Sequence, residues 1–234
     1  MTVAAIVPAA GRGERLGPGT PKALRRLGGV PLLVHAVRSL ATARLVDLVV
    51  VAAPPDDVDD VSGLFADIEL PADVRVLAGG ETRQDSVRRA LDSLPDDVDV
   101  VLVHDAARPL APAELADSVA RAVHGGAEAV VPAVPVADTV KEVDLAGRVV
   151  RTVDRGTLRA AQTPQGFRRD VLARAHADAA RVGDLATDDA GLVERAGGQV
   201  VVIAGADEAF KVTRLADLAF AEAVVAKQRS VRGR

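Results

Sequence analysis

The sequence predicts an α/β fold built on a mostly parallel sheet with helices on both faces. Short runs rich in valine alternate with stretches whose apolar residues recur at helical spacing. The runs are nearly continuously apolar, as expected of strands that are buried on both sides. A chain of 234 residues has the length of one such domain and is too short for two independent enzymes of ordinary size. We therefore expect a single domain over residues 1–234.

The individual elements follow from these two patterns. The apolar runs predict six strands, at residues 3–9, 45–53, 74–78, 99–106, 127–136 and 199–205. Apolar residues that share one face predict four helices, around residues 87–94, 115–123, 169–181 and 187–196. A last helix is expected to begin with Thr213 as its N-cap, because Leu215 and Val225 then lie on one side.

One segment interrupts this alternation. Residues 137–155 contain two short extended runs, TVKEV and VVRTV, joined by a DLAG turn, which is the pattern of a β-hairpin. Isolated two-stranded hairpins are only marginally stable in water. We therefore expect this inserted segment, called the β-arm below, to project from the domain and to pair with another subunit.

Composition excludes several kinds of chemistry and of partner. The chain has no cysteine, which rules out disulfides, thiolate metal sites and cysteine nucleophiles, and its four histidines are scattered. With a net charge of -4 and no basic stripe, it is not expected to bind nucleic acid. No apolar run approaches the roughly 20 residues that span a bilayer, and no signal peptide is evident. We expect a cytoplasmic protein without membrane contact.

The loop after the first strand, AAGRGERLGPGTPK (residues 9–22), is a candidate phosphate site. Ligands of open parallel sheets bind at the carboxyl ends of the strands, and glycines let backbone amides approach an anion. The loop is not a P-loop, because Lys22 follows a proline, and its glycines are spaced too widely for GxGxxG. Its cations, Arg12, Arg15 and Lys22, suit a triphosphate. A solvated loop with incidental basic residues is the alternative.

The motif GGETRQDS (residues 79–86) belongs to the same end of the sheet. It follows a predicted strand and opens a predicted helix, so its glycines, the helix N-terminal amides and Ser86 are placed to contact a nucleotide. A glycine turn followed by an ordinary N-cap is an equally good interpretation of the motif alone.

Two further motifs would face the same cleft. VHDAARP places Asp105 at the carboxyl end of a buried strand, where a lone carboxylate commonly holds Mg²⁺ together with substrate phosphates. An ion pair between Asp105 and Arg108 is the alternative. FKVT places Lys211 just before the last helix.

Taken in order, seven motifs resemble one family, the 2-C-methyl-D-erythritol 4-phosphate cytidylyltransferases of the non-mevalonate isoprenoid pathway. They are PAAGRGERLG...PK, GGETRQDSV, VHDAARP, PVADTVK, TVDR, QTPQGF and FKVTR. The resemblance covers nearly the whole chain, and because no second catalytic domain follows, it is to the monofunctional form. One residue departs from the pattern: the family usually has glutamine after the loop lysine, where this chain has Ala23.

The resemblance implies a Rossmann-like fold of the nucleotide-diphospho-sugar transferase type and a homodimer joined through the β-arm. It also implies transfer of CMP from CTP to 2-C-methyl-D-erythritol 4-phosphate, a polyol phosphate, with Mg²⁺ or another divalent cation. The products would be 4-diphosphocytidyl-2-C-methyl-D-erythritol and pyrophosphate. A ribitol 5-phosphate cytidylyltransferase, or a catalytically inactive nucleotide-binding protein, remains open as an alternative.

The resemblance also implies the roles of individual residues. The catalytic residues would be Arg15, Lys22, Arg155 and Lys211. CTP would be bound by Ala10, Gly11, Gly13, Arg15, Lys22, Gly80, Glu81, Arg83, Ser86, Asp105 and Ala106. The polyol phosphate would be bound by Asp105, Arg108, Thr139, Arg155, Thr163 and Lys211, and the metal by Asp105. Arg155, at the end of the β-arm, would enter the partner subunit's site. Residues 17–21 are expected to form a flexible connector that carries Lys22 into place once CTP arrives.

Overall fold

The computed structural model of the chain describes residues 1–11 and 21–232. The strands over these ranges are β1 (Thr2–Pro8), β2 (Arg26–Leu27), β3 (Val30–Pro31), β4 (Leu48–Ala53), β5 (Asp73–Ala78), β6 (Val98–Val103), β7 (Ala129–Pro135), β8 (Val140–Val143), β9 (Val149–Val153), β10 (Arg159–Ala161), β11 (Gln165–Arg168) and β12 (Val200–Ala204). The helices are α1 (Leu32–Ala41), α2 (Val58–Gly63), α3 (Arg83–Asp92), α4 (Ala113–His124), α5 (Arg169–Val182), α6 (Asp189–Arg195) and α7 (Leu215–Arg232).

The main sheet has the strand order β10-β7-β11-β6-β1-β4-β5, with β12 paired to β7. The neighbours β5, β4, β1 and β6 are all parallel, as are β7 and β12. Strands β10 and β11 run antiparallel to their neighbours. The predicted mostly parallel sheet is therefore confirmed, and all six predicted strands are present. The two antiparallel strands were not predicted.

Helices cover both faces of this sheet, as predicted. Alternate residues of β1 point to opposite sides: Val3 and Val7 pack with α1 and α4, whereas Ala4 and Ile6 pack with α3, α5 and α6. Because both faces are buried, β4 consists of buried residues throughout. This explains why the strands read as continuous apolar runs in the sequence.

The start of the last helix differs from the prediction. Helix α7 begins at Leu215, two residues after Thr213. The amide and the hydroxyl of Thr213 both donate to Oδ2 of Asp217, at 2.8 and 2.7 Å, and the amide of Arg214 donates to the same oxygen. The carboxylate of Asp217 therefore collects the donors that precede the helix.

The predicted hairpin is present as a separate two-stranded sheet of β8 and β9. Its turn is organised by Asp144, whose Oδ1 accepts the amides of Ala146 and Arg148, and by Gly147, whose φ of 78° suits glycine. Apolar side chains on the β-arm are exposed, among them Val149 and Val150. Pairing with another subunit stays a prediction. Within the described ranges, no helix is both long and apolar enough to cross a membrane.

Candidate active site

A cleft of about 230 Å³ opens beyond the carboxyl ends of β1, β5 and β6. These strands belong to the parallel part of the sheet, so the segments that follow them meet at one edge. Among the described residues, the cleft is lined by residues 8–11, 22–23, 80–83, 86, 105–107 and 211. Four motifs that are distant in the sequence therefore meet in one cleft, as predicted.

The first wall of the cleft is the segment that follows β1. Ala10 and Gly11 line it, as do Lys22 and Ala23 from the short 3-10 turn Lys22–Leu24. Ala23 is buried and belongs to the core under α1, so an apolar contact stands where the family usually has glutamine. Gly13, Arg15 and most of the predicted connector lie outside the described residues.

The second wall is the turn between β5 and α3. Thr82 caps α3 in a reciprocal capping box with Asp85. The buried hydroxyl of Ser86 accepts the amide of Gly80 at 3.0 Å and donates to the carbonyl of Thr82 at 2.9 Å. A Cβ at Gly80 would lie 2.3 Å from the Cβ of Asp85. The turn thus combines an ordinary N-cap with a backbone surface that faces the cleft. The hydroxyl of Ser86 stabilises the turn through its hydrogen bonds to Gly80 and Thr82.

Asp105 lines the cleft and is paired with two cations. Its Oδ2 accepts from Nζ of Lys211 at 2.7 Å, and its Oδ1 accepts from Nε of Arg83 at 3.3 Å. Burial alone would raise the pKa of this carboxyl, but the charges of Arg83 and Lys211 outweigh burial and hold it well below its usual range. Asp105 is therefore ionised at neutral pH. The side chain of Lys211 is 39% exposed and remains accessible from the cleft.

The backbone at Asp105 is fixed by a buried hydrogen-bonded chain. The amide of Asp105 donates to Oγ1 of Thr163 at 3.0 Å, and Thr163 lies 3.1 Å from Nδ1 of His104. The Nε2 atom of His104 lies 3.2 Å from the carbonyl of Arg108. Since a carbonyl only accepts, Nε2 is assigned the proton, and Nδ1 accepts from Thr163. Burial lowers the pKa of His104 to about 4, so the imidazole is neutral at pH 7.

Four of the predicted residues that the structure describes do not line this cleft. Arg108 donates to the carbonyls of Ala209 and Ala161 rather than to Asp105, so the predicted alternative of an Asp105–Arg108 ion pair is wrong. Thr139 is exposed just before β8. Arg155 is exposed just after β9, and its guanidinium donates to the carbonyl of Ala137. Within one chain, the end of the β-arm and the cleft are thus separate. Thr163 contacts His104 and the Asp105 backbone and likewise does not line the cleft.

Two residues beside the cleft were missed from the sequence. Asp189 opens α6 and accepts from Nη1 of Arg83 at 2.7 Å. His176 of α5 lies 3.0 Å from the other oxygen of Asp189, and both side chains are 1% exposed. Burial alone would lower the pKa of Arg83, but Asp189 and Asp105 outweigh it and raise that pKa. The available signals were the DD pair that starts a helix and a histidine on an apolar helix face.

The chain is similar to one protein family over nearly its whole length. The family model described as IspD, 2-C-methyl-D-erythritol 4-phosphate cytidylyltransferase, matches residues 3–227. A 2-C-methyl-D-erythritol 4-phosphate cytidylyltransferase from Frankia casuarinae is 65% identical over 226 residues, which is 96% of this chain and 82% of the relative. One of the same name from Streptomyces avermitilis is 56% identical, over 97% of this chain and 92% of the relative.

Solved structures show the same likeness. The 2-C-methyl-D-erythritol 4-phosphate cytidylyltransferase of Thermus thermophilus is 38% identical, with a TM-score of 0.77 over 96% of this chain and 98% of the other. The 4-diphosphocytidyl-2C-methyl-D-erythritol synthase of Anaerococcus prevotii is 27% identical, with a TM-score of 0.84 over 96% of each chain. The chain therefore belongs to the 2-C-methyl-D-erythritol 4-phosphate cytidylyltransferase family of nucleotidyltransferases.

Proposed function

We propose that this cleft transfers CMP from CTP to 2-C-methyl-D-erythritol 4-phosphate, giving 4-diphosphocytidyl-2-C-methyl-D-erythritol and pyrophosphate. The observation that carries the proposal is the meeting of Lys22, Lys211 and Asp105 beside a glycine turn at the carboxyl ends of parallel strands. The relatives reported above are named for methylerythritol 4-phosphate, which favours that acceptor over ribitol 5-phosphate. Lys22 and Lys211 line the cleft, and cations that stabilise charge in a transition state favour an enzyme over a protein that only binds nucleotide.

The reaction needs no protein base. The second pKa of a phosphate monoester is about 6, so the acceptor phosphate is already largely a dianion at neutral pH. One of its oxygens attacks the α-phosphorus of CTP, and the bond to the pyrophosphate oxygen breaks. His104, which precedes Asp105, is buried, and both of its ring nitrogens are hydrogen-bonded within the protein. Its role is to hold the Asp105 backbone.

The difficulty of the step is electrostatic, because two anions approach each other and charge moves onto pyrophosphate. Catalysis is then mostly positioning and charge stabilisation by cations. Lys22 and Arg15 are assigned to the charge on the α-phosphate and the leaving pyrophosphate. Lys211 is assigned to the incoming phosphate, and its pairing with Asp105 at 2.7 Å supports this because it holds the ammonium at the cleft.

The nucleotide is assigned to the two backbone walls. The amides of Ala10, Gly11 and Gly13 would follow the triphosphate. Gly80, Glu81 and Arg83 would enclose the cytosine and the ribose, and a short backbone-lined pocket would favour a pyrimidine over a larger purine. Ser86 would support this pocket indirectly, since its hydroxyl is already bonded to Gly80 and Thr82.

A divalent cation fits the cleft through one protein ligand. In the part of the chain that the structure describes, no group of three or more acidic or histidine side chains could hold a metal alone. Asp105 supplies one ionised carboxylate, and Mg²⁺ typically binds one or two carboxylates together with waters and substrate phosphates. Asp105 is therefore the residue proposed to hold it. When bound, the cation would neutralise charge on the phosphates.

The β-arm is proposed to join two subunits. Its exposed valines are apolar surface that a partner would cover. Thr139 and Arg155 lie at the ends of the β-arm strands and outside the cleft of their own chain. Both are assigned to the acceptor, so we propose that they reach the partner subunit's cleft and that activity requires the dimer.

Pyrophosphate release from CTP tests this function. The purified protein is assayed with Mg²⁺ and with methylerythritol 4-phosphate, ribitol 5-phosphate or no acceptor. The proposal expects release with methylerythritol phosphate and much slower release with the other two. Faster release with ribitol phosphate would reassign the acceptor, and release with neither would leave only nucleotide binding.

A further inference from the structure

A chain of ionic and hydrogen-bonded side chains runs from helix α5 into the cleft. The Nε2 atom of His176 lies 3.0 Å from Oδ1 of Asp189, and Oδ2 of Asp189 accepts from Nη1 of Arg83 at 2.7 Å. The Nε atom of Arg83 donates to Asp105, which also accepts from Lys211. His176 and Asp189 do not line the cleft, whereas the other three residues do.

Arg83 is the link through which the buried end of this chain reaches the nucleotide site. Its guanidinium donates to Asp189 through one nitrogen and to Asp105 through another, so two carboxylates fix the orientation of its plane. The side chain is 33% exposed. The exposed part of the side chain lines the cleft. The orientation of the guanidinium depends on the position of the Asp189 carboxylate, which accepts from its Nη1 atom.

Asp189 in turn depends on His176. The carboxylate is 1% exposed, and its two oxygens contact Arg83 on one side and His176 on the other. Because the ionised carboxylate only accepts, His176 donates from Nε2. Without that donor, Arg83 would be the one partner among the described residues that orients the buried carboxylate of Asp189.

Packing does not account for a histidine at position 176. Its Nδ1 atom is buried and has no hydrogen-bond partner among the described residues. A buried polar atom without a partner costs stability, so an apolar side chain would suit this interior position better. What the imidazole supplies, and an apolar residue would not, is the donor to Asp189.

We propose that His176 and Asp189 are positioning residues that fix the guanidinium of Arg83 for CTP binding. The inference rests on the proposed function, in which Arg83 faces the nucleotide. Because His176 touches neither substrate, its loss would loosen Arg83 in the ground state and in the transition state alike. It should therefore raise the KM for CTP and leave kcat nearly unchanged.

The test compares His176→Leu with His176→Gln, whose amide nitrogen can still donate to Asp189. CTP affinity is measured by calorimetry, and KM and kcat by pyrophosphate release. We expect His176→Leu to weaken CTP binding about tenfold, as loss of one charge-assisted hydrogen bond would, and His176→Gln to recover most of the affinity.

His124→Leu is the matched control, since His124 is also a helix histidine with a buried nitrogen, Nε2, that lacks a partner among the described residues. It should bind CTP normally.

A second arm repeats His176→Leu in an Arg83→Ala background. The substitution leaves Oδ1 of Asp189 without the donor from His176, so it should lower the melting temperature in both backgrounds. If His176 acts through Arg83, it should weaken CTP binding only when Arg83 is present. If His176→Leu does not fold, Asp189→Asn replaces it in both backgrounds. It too should weaken CTP binding only when Arg83 is present. Equal weakening in both backgrounds, or no weakening in either, overturns the proposal. Because binding is measured without acceptor, absence of pyrophosphate release in the wild type would refute the proposed function and still leave this comparison decisive.

Discussion

Acidification from pH 7 to pH 5 should destabilise the protein through His104. This side chain is 1% exposed and neutral, with Nδ1 accepting from Thr163 and Nε2 donating to the carbonyl of Arg108. A second proton on Nδ1 would remove the acceptor that Thr163 uses. Burial is the main reason that the folded state resists this proton, because a charged imidazolium would lose its hydration in the interior.

The size of the effect follows from the pKa difference between the two states. Burial lowers the pKa of His104 from 6.5 to about 4 in the folded protein. The unfolded chain therefore binds a proton first as the pH falls, and the stability present above the unfolded pKa is lost between about 6.5 and 4. Between pH 7 and pH 5 this linkage removes about 2 kcal/mol from the free energy of unfolding.

The assay is urea unfolding at both pH values, at one protein concentration and without divalent cations. His104→Gln is the comparison, since it removes the titrating group and keeps a nitrogen that can donate to Arg108. The wild type should lose about 2 kcal/mol more than the variant between the two pH values. Asp105 and Asp189 have lowered pKa values, so their contributions are lost only as the pH falls through the ordinary carboxyl range. An equal loss of unfolding free energy in the wild type and in His104→Gln would refute the assignment of His104 as a buried, neutral imidazole.

Three further predictions concern the turn, the dimer and the β-arm. Gly80→Ala should lower the melting temperature and weaken CTP binding, since its Cβ has no room, whereas Gly63→Ala, with open space around it, should do neither. Thermal unfolding measures the first effect and calorimetry with CTP the second. Arg155→Ala mixed with Lys22→Ala should regain about a quarter of wild-type turnover after subunit exchange, because half of the dimers then carry one intact site. No recovery would place Arg155 in its own subunit's site. Val150→Asp should shift the sedimentation of the protein towards the monomer without loss of helix content; an unchanged dimer would contradict the role of the β-arm.

The sequence predicted the parallel core well because its strands are buried on both faces. Strands such as β4 consist only of buried residues and are visible as apolar runs. Strands β10 and β11 are three and four residues long and contain arginine, glutamine and glycine. They are extended because β6 and β7 pair with them. That information lies in tertiary contacts and not in their own composition.

In the candidate site, too, some residues could be predicted from local motifs, whereas others are set by tertiary contacts. Residues of the glycine turn, Asp105 and Lys211 were predictable, because motifs after parallel strands converge at one edge of the sheet. The partners of Arg83 were not predictable, since Asp189 is 106 positions away in the sequence and meets it only through helix packing. Likewise, nothing local indicates that the hydroxyl of Thr163 would bond to the Asp105 backbone.

The central claim is that cations in the cleft act on charge that develops during cytidylyl transfer. Comparing Lys22→Ala with the wild type tests this most directly, by turnover in pyrophosphate release and by CTP affinity in calorimetry. Loss of a charge used in the transition state should lower kcat by at least about 100-fold, while CTP affinity falls much less and the circular dichroism spectrum is unchanged. Near-normal turnover in the folded variant would contradict the account.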